Sequence, residues 1–165
     1  MVPTSSVELS DGVYHLDGCI SEKTNLDLIL DATTFPIQLN VRDVDAMSNV
    51  GVGKLMALVQ TIGAGKVEFH ECPPLFIAAI NTLPKMRKHP ERVKSCYLPH
   101  ICDSCKSVQN VLVQLQDVRY KNEKISLPRQ ACTDCLAVLR PNVELEDYFL
   151  FLTEGHRSTA RKPHS

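Results

Sequence analysis

Cys102-Asp103-Ser104-Cys105 and Cys132-Thr133-Asp134-Cys135 decide how the second half of this chain folds. Twenty-six residues separate the two CxxC pairs. Each pair turns tightly enough to aim two thiolates at one point. Two such knuckles can meet at a single tetrahedral ion, with metal–sulfur distances near ~2.3 Å for zinc. The intervening run is somewhat longer than the roughly 15–20 residues usual between such pairs. The spacing predicts a zinc-ribbon-like β unit in which Cys102, Cys105, Cys132 and Cys135 hold a structural Zn2+. A catalytic zinc keeps one position open, whereas four thiolates close the shell. The rival chemistry is thiol–disulfide exchange. A redox CxxC opens a helix just after a strand, where the helix N-terminus lowers the thiol pKa. Here both pairs lie in turn-like sequence, and one metal accounts for both. Backbone N–H groups, with Lys106 or Arg129, are expected to offset the negative charge of such a site. His100, two residues before Cys102, is expected at the surface or behind the ligands rather than among them.

Outward from the knuckles, composition bounds the rest. At 165 residues the chain has room for one medium domain or two small ones. Aromatics make up only 5% and tryptophan is absent, so aliphatic side chains must build most of the core. Residues 1–98 carry nine Lys/Arg against eleven Asp/Glu, and residues 99–165 nine against eight. Neither half has the basic excess of a dedicated nucleic-acid binder. The start lacks a basic and then apolar leader, and no apolar run approaches the roughly 18 residues that span a bilayer. A soluble, cytoplasmic chain is expected. Seven cysteines in a reducing compartment read as metal ligands plus small buried hydrophobes, the latter being Cys19, Cys72 and Cys96.

The first 98 residues alternate strand and helix patterns. Residues 13–20 read as a bent strand or strand pair, with Gly18 at a bulge or turn. Thr24 is expected to cap a short helix carrying Leu26, Ile29 and Leu30 on its apolar face. Ile37, Leu39 and Val41 alternate as in a strand. Val52, Leu55, Met56, Val59 and Ile62 follow helical spacing, and Gly63 and Gly65 end that helix. Val67 and Phe69 mark another strand. Pro73 and Pro74 suit a helix start; Phe76, Ala79, Ile80 and Leu83 form its stripe, and Pro84 stops it. Residues 85–94 hold six basic groups if His89 is counted, and read as a solvated connector. Val93 to Leu98 reads as a strand. This alternation predicts an α/β layer fold with a largely parallel sheet.

Pro99 opens the second unit, residues 99–152. Val111, Val113 and Leu115 alternate along a strand, residues 121–124 turn, and Ile125 and Leu127 start the return. Asn142 is expected to cap a terminal helix whose stripe is Leu145, Tyr148, Phe149 and Leu152. Residues 153–165 read as a disordered basic tail.

Gly51-Val52-Gly53-Lys54 lacks the earlier glycine and the following Ser/Thr of a phosphate loop. What remains is a helix start behind small and polar residues, suited to an anion or a partner's carboxylate.

With these residues in view, positions 1–98 resemble a STAS domain, the fold of bacterial anti-sigma-factor antagonists. The match is carried by Val13-Tyr14-His15-Leu16-Asp17-Gly18-Cys19-Ile20, by Ile37-Gln38-Leu39-Asn40-Val41, and by Val44 through Ser48-Asn49-Val50-Gly51-Val52-Gly53-Lys54-Leu55. The chain is also similar to a bacterial group that joins such a domain to a zinc-ribbon-like tail. The resemblance implies a non-enzymatic signalling protein. It would dock an anti-sigma factor or other signalling regulator through Ser48, Asn49, Val50, Gly51 and Lys54, with no membrane attachment and with room for homo-oligomers. Members of the family are switched by phosphorylation of a serine that corresponds to Val50 here, so the docking surface carries over and the phosphoswitch does not. The competing readings are a nucleic-acid-binding zinc ribbon using Arg119, Lys121 and Lys124, a small-ligand or nucleotide sensor at the Gly51–Lys54 helix start, and a thiol oxidoreductase.

Overall fold

The computed structural model describes residues 5–63, 65–121 and 124–153. It is a mixed α/β structure with five α-helices among those residues. The chain opens with an antiparallel hairpin, β1 (Ser6–Ser10) and β2 (Val13–Ile20). The short helix α1 (Asp27–Leu30) follows, then β3 (Ile37–Met47), α2 (Asn49–Ile62) and β4 (Val67–His70). The strands β2, β3 and β4 run parallel, in the sheet order β1-β2-β3-β4. Parallel neighbours need a crossover, and α2 supplies it between β3 and β4.

β3 shows how the sequence pattern and the geometry agree. Ile37, Leu39 and Val41 are buried in strict alternation, but the next buried residue is Val44, which changes the parity. The register explains this: His15 pairs with Asn40, whereas Asp17 pairs with Asp43, so β3 holds one extra residue. Such a bulge re-aims the strand, and both Arg42 and Asp43 face outward. The second irregularity lies at Gly18, whose φ of 76° fits the bulge expected there.

At the β3–α2 junction the Ser48 hydroxyl accepts a hydrogen bond from the Gly51 N–H at 3.0 Å, capping the helix. Gly51 packs on β2: a Cβ at this position would sit 2.2 Å from the Ile20 carbonyl oxygen. Backbone, not a flexible side chain, stands in the way. Gly51→Ala is therefore expected to displace α2 and to cost about 1–3 kcal/mol or more as overpacking. A urea-denaturation midpoint within error of wild type would refute this close fit.

After β4 come α3 (Pro74–Thr82), α4 (Pro84–Arg87) and a 3-10 turn (Pro90–Arg92). Pro84 ends α3 as expected but also starts α4. The connector is thus structured, and Met86 and Arg92 are buried within it rather than solvated. Ile77, not Ala79, joins Phe76 and Ile80 on the fully buried face of α3.

β5 (Ser95–Cys102) is the hinge of the architecture. The division expected at residues 98/99 falls inside this strand, with Pro99 at mid-strand. Its first half continues the parallel sheet beside β4, through bridges Phe69↔Val93 and Cys72↔Cys96. Hydrogen bonds from Lys94 N–H to Phe69 C=O (2.8 Å) and Tyr97 N–H to Cys72 C=O (2.8 Å) join them. Its second half pairs antiparallel with β10 (Val138–Pro141), and its other edge pairs along its length with β6 (Val108–Gln114). The remaining strands are the hairpin β7 (Arg119–Lys121) and β8 (Lys124–Ser126), and the short β9 (Gln130–Ala131) beside β10.

The main core lies between this sheet and helices α2 and α3. Leu16, Leu39, Val41, Val59, Phe69, Phe76 and Leu98 belong to it, and so do Ile125, Phe149 and Phe151 from the second half. α5 (Leu145–Tyr148) is short, its cap position is Glu144, and helical backbone resumes at 150–153. Asn142 does not cap it; its N–H donates to the Pro99 carbonyl at 2.8 Å. Thr24 likewise caps nothing: its hydroxyl accepts from the Ser21 N–H and contacts Ser5 Oγ and the Cys19 carbonyl. Thr153 is buried, and the rest of the expected tail, 154–165, lies outside the described residues. No helix among the described residues is long and apolar enough to cross a membrane.

Candidate metal centre

The four predicted sulfurs converge. The Sγ atoms of Cys102, Cys105, Cys132 and Cys135 all lie within 4.8 Å of one another. The pairing Leu139↔Cys102 between β10 and β5 brings the two knuckles face to face. Each knuckle is the tip of a hairpin, one between β5 and β6 and the other between β9 and β10.

The two tips are built alike. Cys102 N–H donates to Ser107 C=O and Lys106 N–H to Cys102 C=O, both at 2.9 Å. Cys132 N–H donates to Ala137 C=O at 2.8 Å and Leu136 N–H to Cys132 C=O at 3.0 Å. In both, the residue after the second cysteine adopts a left-handed backbone: Lys106 and Leu136 each have φ of 63°. A non-glycine residue in this region costs roughly 1–2 kcal/mol, so the closed turn must repay it. Nothing in the residue type signalled these positions, because neither is glycine or asparagine. What the structure shows for Lys106 is a conformational role in closing the first turn.

The sulfurs accept hydrogen bonds that suit thiolates. The Asp134 N–H and the Gln109 Nε2–H each lie 3.4 Å from Cys132 Sγ. The Cys105 thiol in turn donates to the Ser107 hydroxyl at 3.3 Å, and that hydroxyl lies 3.5 Å from Cys132 Sγ. Gln109 also donates to Thr133 Oγ1 at 2.9 Å and accepts from the Thr133 N–H at 3.3 Å, so β6 braces the second knuckle. Arg140 Nε donates to both carboxylate oxygens of Asp103 at 2.9 Å, clamping the first knuckle to β10. Ser107, Gln109 and Arg140 are the functional neighbours that spacing missed. They reach the site across strands, where sequence distance carries no signal.

Three of the four thiols are shifted by their neighbours. The Ser107 hydroxyl, followed by the Asp134 and Cys135 N–H groups, draws the Cys132 thiol down to about 6 against the penalty of burial. Cys105 is also lowered, chiefly by Ser107. The Ala137 N–H favours the Cys135 thiolate, but contacts with Cys102, burial, and the other two sulfurs outweigh it and push that thiol up to about 12. Metal binding would need all four sulfurs as thiolates and would therefore release these protons.

Geometry supports the same fit. A tetrahedral ion ~2.3 Å from each sulfur requires sulfur–sulfur separations of about 3.8 Å. The cross-knuckle pairs Cys102–Cys135 and Cys105–Cys132 stand at 3.5 and 3.6 Å. A disulfide needs about 2.05 Å, and all seven cysteines are free thiols. The cluster can hold a metal ion. Neither CxxC opens a helix, so the arrangement that activates a redox thiol is missing at these two turns.

His100 is not among the converging groups. It is buried on β5 between Leu98 and Cys102, with Nδ1 2.9 Å from the Leu98 carbonyl, so of the two places expected for it, the surface or behind the ligands, the surface is excluded. Cys72 and Cys96 are fully buried neighbours across β4 and β5, as expected of small hydrophobes, and Cys19 is half-buried. Burial pushes the Cys72 thiol up, aided by Cys96, and Cys96 up to about 12. Both are inert thiols.

The expected docking residues gather at the β3–α2 junction, with unequal availability. Asn49 is exposed and Val50 is 62% exposed. Ser48 is committed to capping and Gly51 is buried against β2. Lys54 Nζ donates to the Glu22 and Thr24 carbonyls at 3.0 and 2.6 Å, tying down the loop before α1. Beside Asn49 a groove of about 560 Å³ opens between α2 and α3, lined by Met47, Val52, Met56, Leu75, Ala79 and Leu83 among others.

Comparison with protein families, with characterised proteins and with solved structures finds no match to this chain.

Proposed function

We propose that this chain is a non-enzymatic bacterial signalling protein. Its STAS-like α/β sheet docks a protein partner, and one structural Zn2+ bound by Cys102, Cys105, Cys132 and Cys135 stiffens the ribbon beside it. The observation that carries the zinc is the closed set of four mutually close sulfurs. All-thiolate tetrahedral sites of this kind select zinc among abundant divalent ions, and with no open position the ion holds structure rather than activating water.

The docking reading is supported by the parallel β2-β3-β4 order with a capped helix starting directly after β3, where the STAS resemblance puts the partner surface. The available part of that surface is narrower than the motif. It comprises Asn49, Val50 and the apolar groove beside them. The partner is an anti-sigma factor or another signalling regulator, and nucleic acid is disfavoured by a net charge of −1.

Val50→Arg places a charge on this exposed position without touching the core. Cross-linking in the source cell is expected to recover one protein with the native chain and at least tenfold less of it with the variant. Zinc content and thermal midpoint stay unchanged. Equal recovery with both chains would remove the docking surface from this junction, and a metal content near zero in freshly isolated protein would remove the zinc.

A further inference from the structure

We propose that β6 is a self-pairing edge, and that two copies of this chain associate by joining their β6 strands antiparallel across a two-fold axis. β6 ends the sheet order β6-β5-β10-β9, and no strand among the described residues pairs with its outer side. The register settles which groups face outward. Cys102 N–H bonds Ser107 C=O at one end of the β5–β6 ladder, and Leu115 N–H bonds Lys94 C=O at the other. The backbone groups of 109, 111 and 113 therefore point to β5. Those of Val108, Asn110, Leu112 and Gln114 point away from it, because antiparallel pairs alternate in this way.

An open edge is a template for another strand, and folds usually protect it with charge, proline, a bulge or brevity. The other edges among the described residues are protected: β1 carries Glu8 at its centre, β9 is two residues long, and the three-residue β7 and β8 carry Arg119, Lys121 and Lys124. β6 is seven residues, Val-Gln-Asn-Val-Leu-Val-Gln, without a charge, a proline or a glycine. It also exposes two large apolar side chains, Val108 at 62% and Leu112 at 38%.

The occupant follows from symmetry. Turned about a two-fold at Val111, the strand meets itself with Asn110 opposite Leu112 and Val108 opposite Gln114. These are the residues whose N–H and C=O groups are outward, so both can be satisfied at once. No like charges meet, and the outward Leu112 side chains become diagonal neighbours on one face, within reach of each other. An isologous contact of this kind closes as a dimer rather than growing into a filament. It rests on β6 alone and is independent of the docking reading.

Light scattering on the full-length metal-loaded chain tests it. Wild type is expected at twice the chain mass at tens of micromolar. Asn110→Pro removes an outward N–H that β5 does not use, a position where proline is tolerated, and is expected to halve the mass with circular dichroism unchanged. Leu112→Lys and Leu112→Glu are each expected to be monomeric alone and to pair when mixed. A monomeric wild type overturns the proposal. So does a dimer that survives Asn110→Pro, or a chain ending at Thr153 that dimerises while the full chain does not, since the edge would then be covered by residues 154–165.

Discussion

Replacing Cys102 by serine is expected to abolish metal retention and to lower stability by more than about 4 kcal/mol, as losing a structural zinc site does. Cys102 is fully buried at the end of β5, and its sulfur stands 3.5 Å from Cys135. Serine supplies a hard, protonated oxygen where the site needs a soft thiolate. Three thiolates and a hydroxyl leave the ion exchangeable. The apolar packing around it cannot compensate. The small core here comprises Cys102, Cys132 and Leu139, with Val111 and Ala137 against it. Two of its three buried members are sulfurs of the candidate site, so an ion held there would be part of this small core. Elemental analysis should fall from one ion per chain to near zero, whereas Cys19→Ser should keep its full metal. A strong chelator acting on wild type should mimic the substitution, and hydrogen exchange should locate the damage. The amides of Cys102, Lys106, Cys132 and Leu136, which close the two turns, lose protection first. The parallel register of residues 93–97 beside β4 keeps its protection. Retention of one ion by the serine variant would show that the quartet is not the site.

Phe149→Ala is the second large effect, about 3–5 kcal/mol, the usual cost of emptying a buried phenylalanine site. For a chain of this size that is a fall in thermal midpoint on the order of 10 °C. Phe149 is fully buried, with its ring 5.2 Å from Tyr148 edge-to-face and 6.2 Å from Phe151. It sits near the C-terminus, yet it belongs to the same core as Leu39 and Phe69. Asn81 on α3 holds the segment in place. Its Nδ2 donates to the Asp147 and Tyr148 carbonyls at 3.2 and 2.9 Å, and its Oδ1 accepts from the Phe151 N–H at 3.1 Å. The Tyr148 hydroxyl donates to the Tyr97 carbonyl at 2.5 Å, pinning the same segment to β5. The variant is therefore expected to unfold in one transition at a lower urea midpoint. A cost below about 1 kcal/mol, or loss of the ribbon alone, would mean that the C-terminal segment packs as an appendage.

Much of this arrangement is legible one residue at a time. Alternation at Ile37, Leu39 and Val41 and the helical spacing at Leu55, Met56 and Val59 name their buried faces correctly, because the chain's own period decides which side an element turns inward. The capping hydroxyl of Ser48, by contrast, lay in a stretch read only as polar and small. Thr24 and Asn142, offered as caps by residue type, were drawn to other partners, the first to Ser21 and Cys19 and the second to Pro99. A hydrogen-bonding side chain states a capacity, and the fold chooses which partner is nearest.

The sequence alone determined that four sulfurs would share one point, that a helix would carry Val52, Leu55, Met56, Val59 and Ile62, and that aliphatic strands would carry the core. Those features depend on local spacing and on the periods of strand and helix, which hold whatever lies across the gap. Tertiary structure alone decided that β5 serves two sheets at once, that Gln109 and Arg140 brace the knuckles from other strands, that Lys54 is spent on a loop, and that β6 keeps an uncharged edge outward. Each of these is a relation between residues far apart in the chain, set by packing and register, and no single segment contains it.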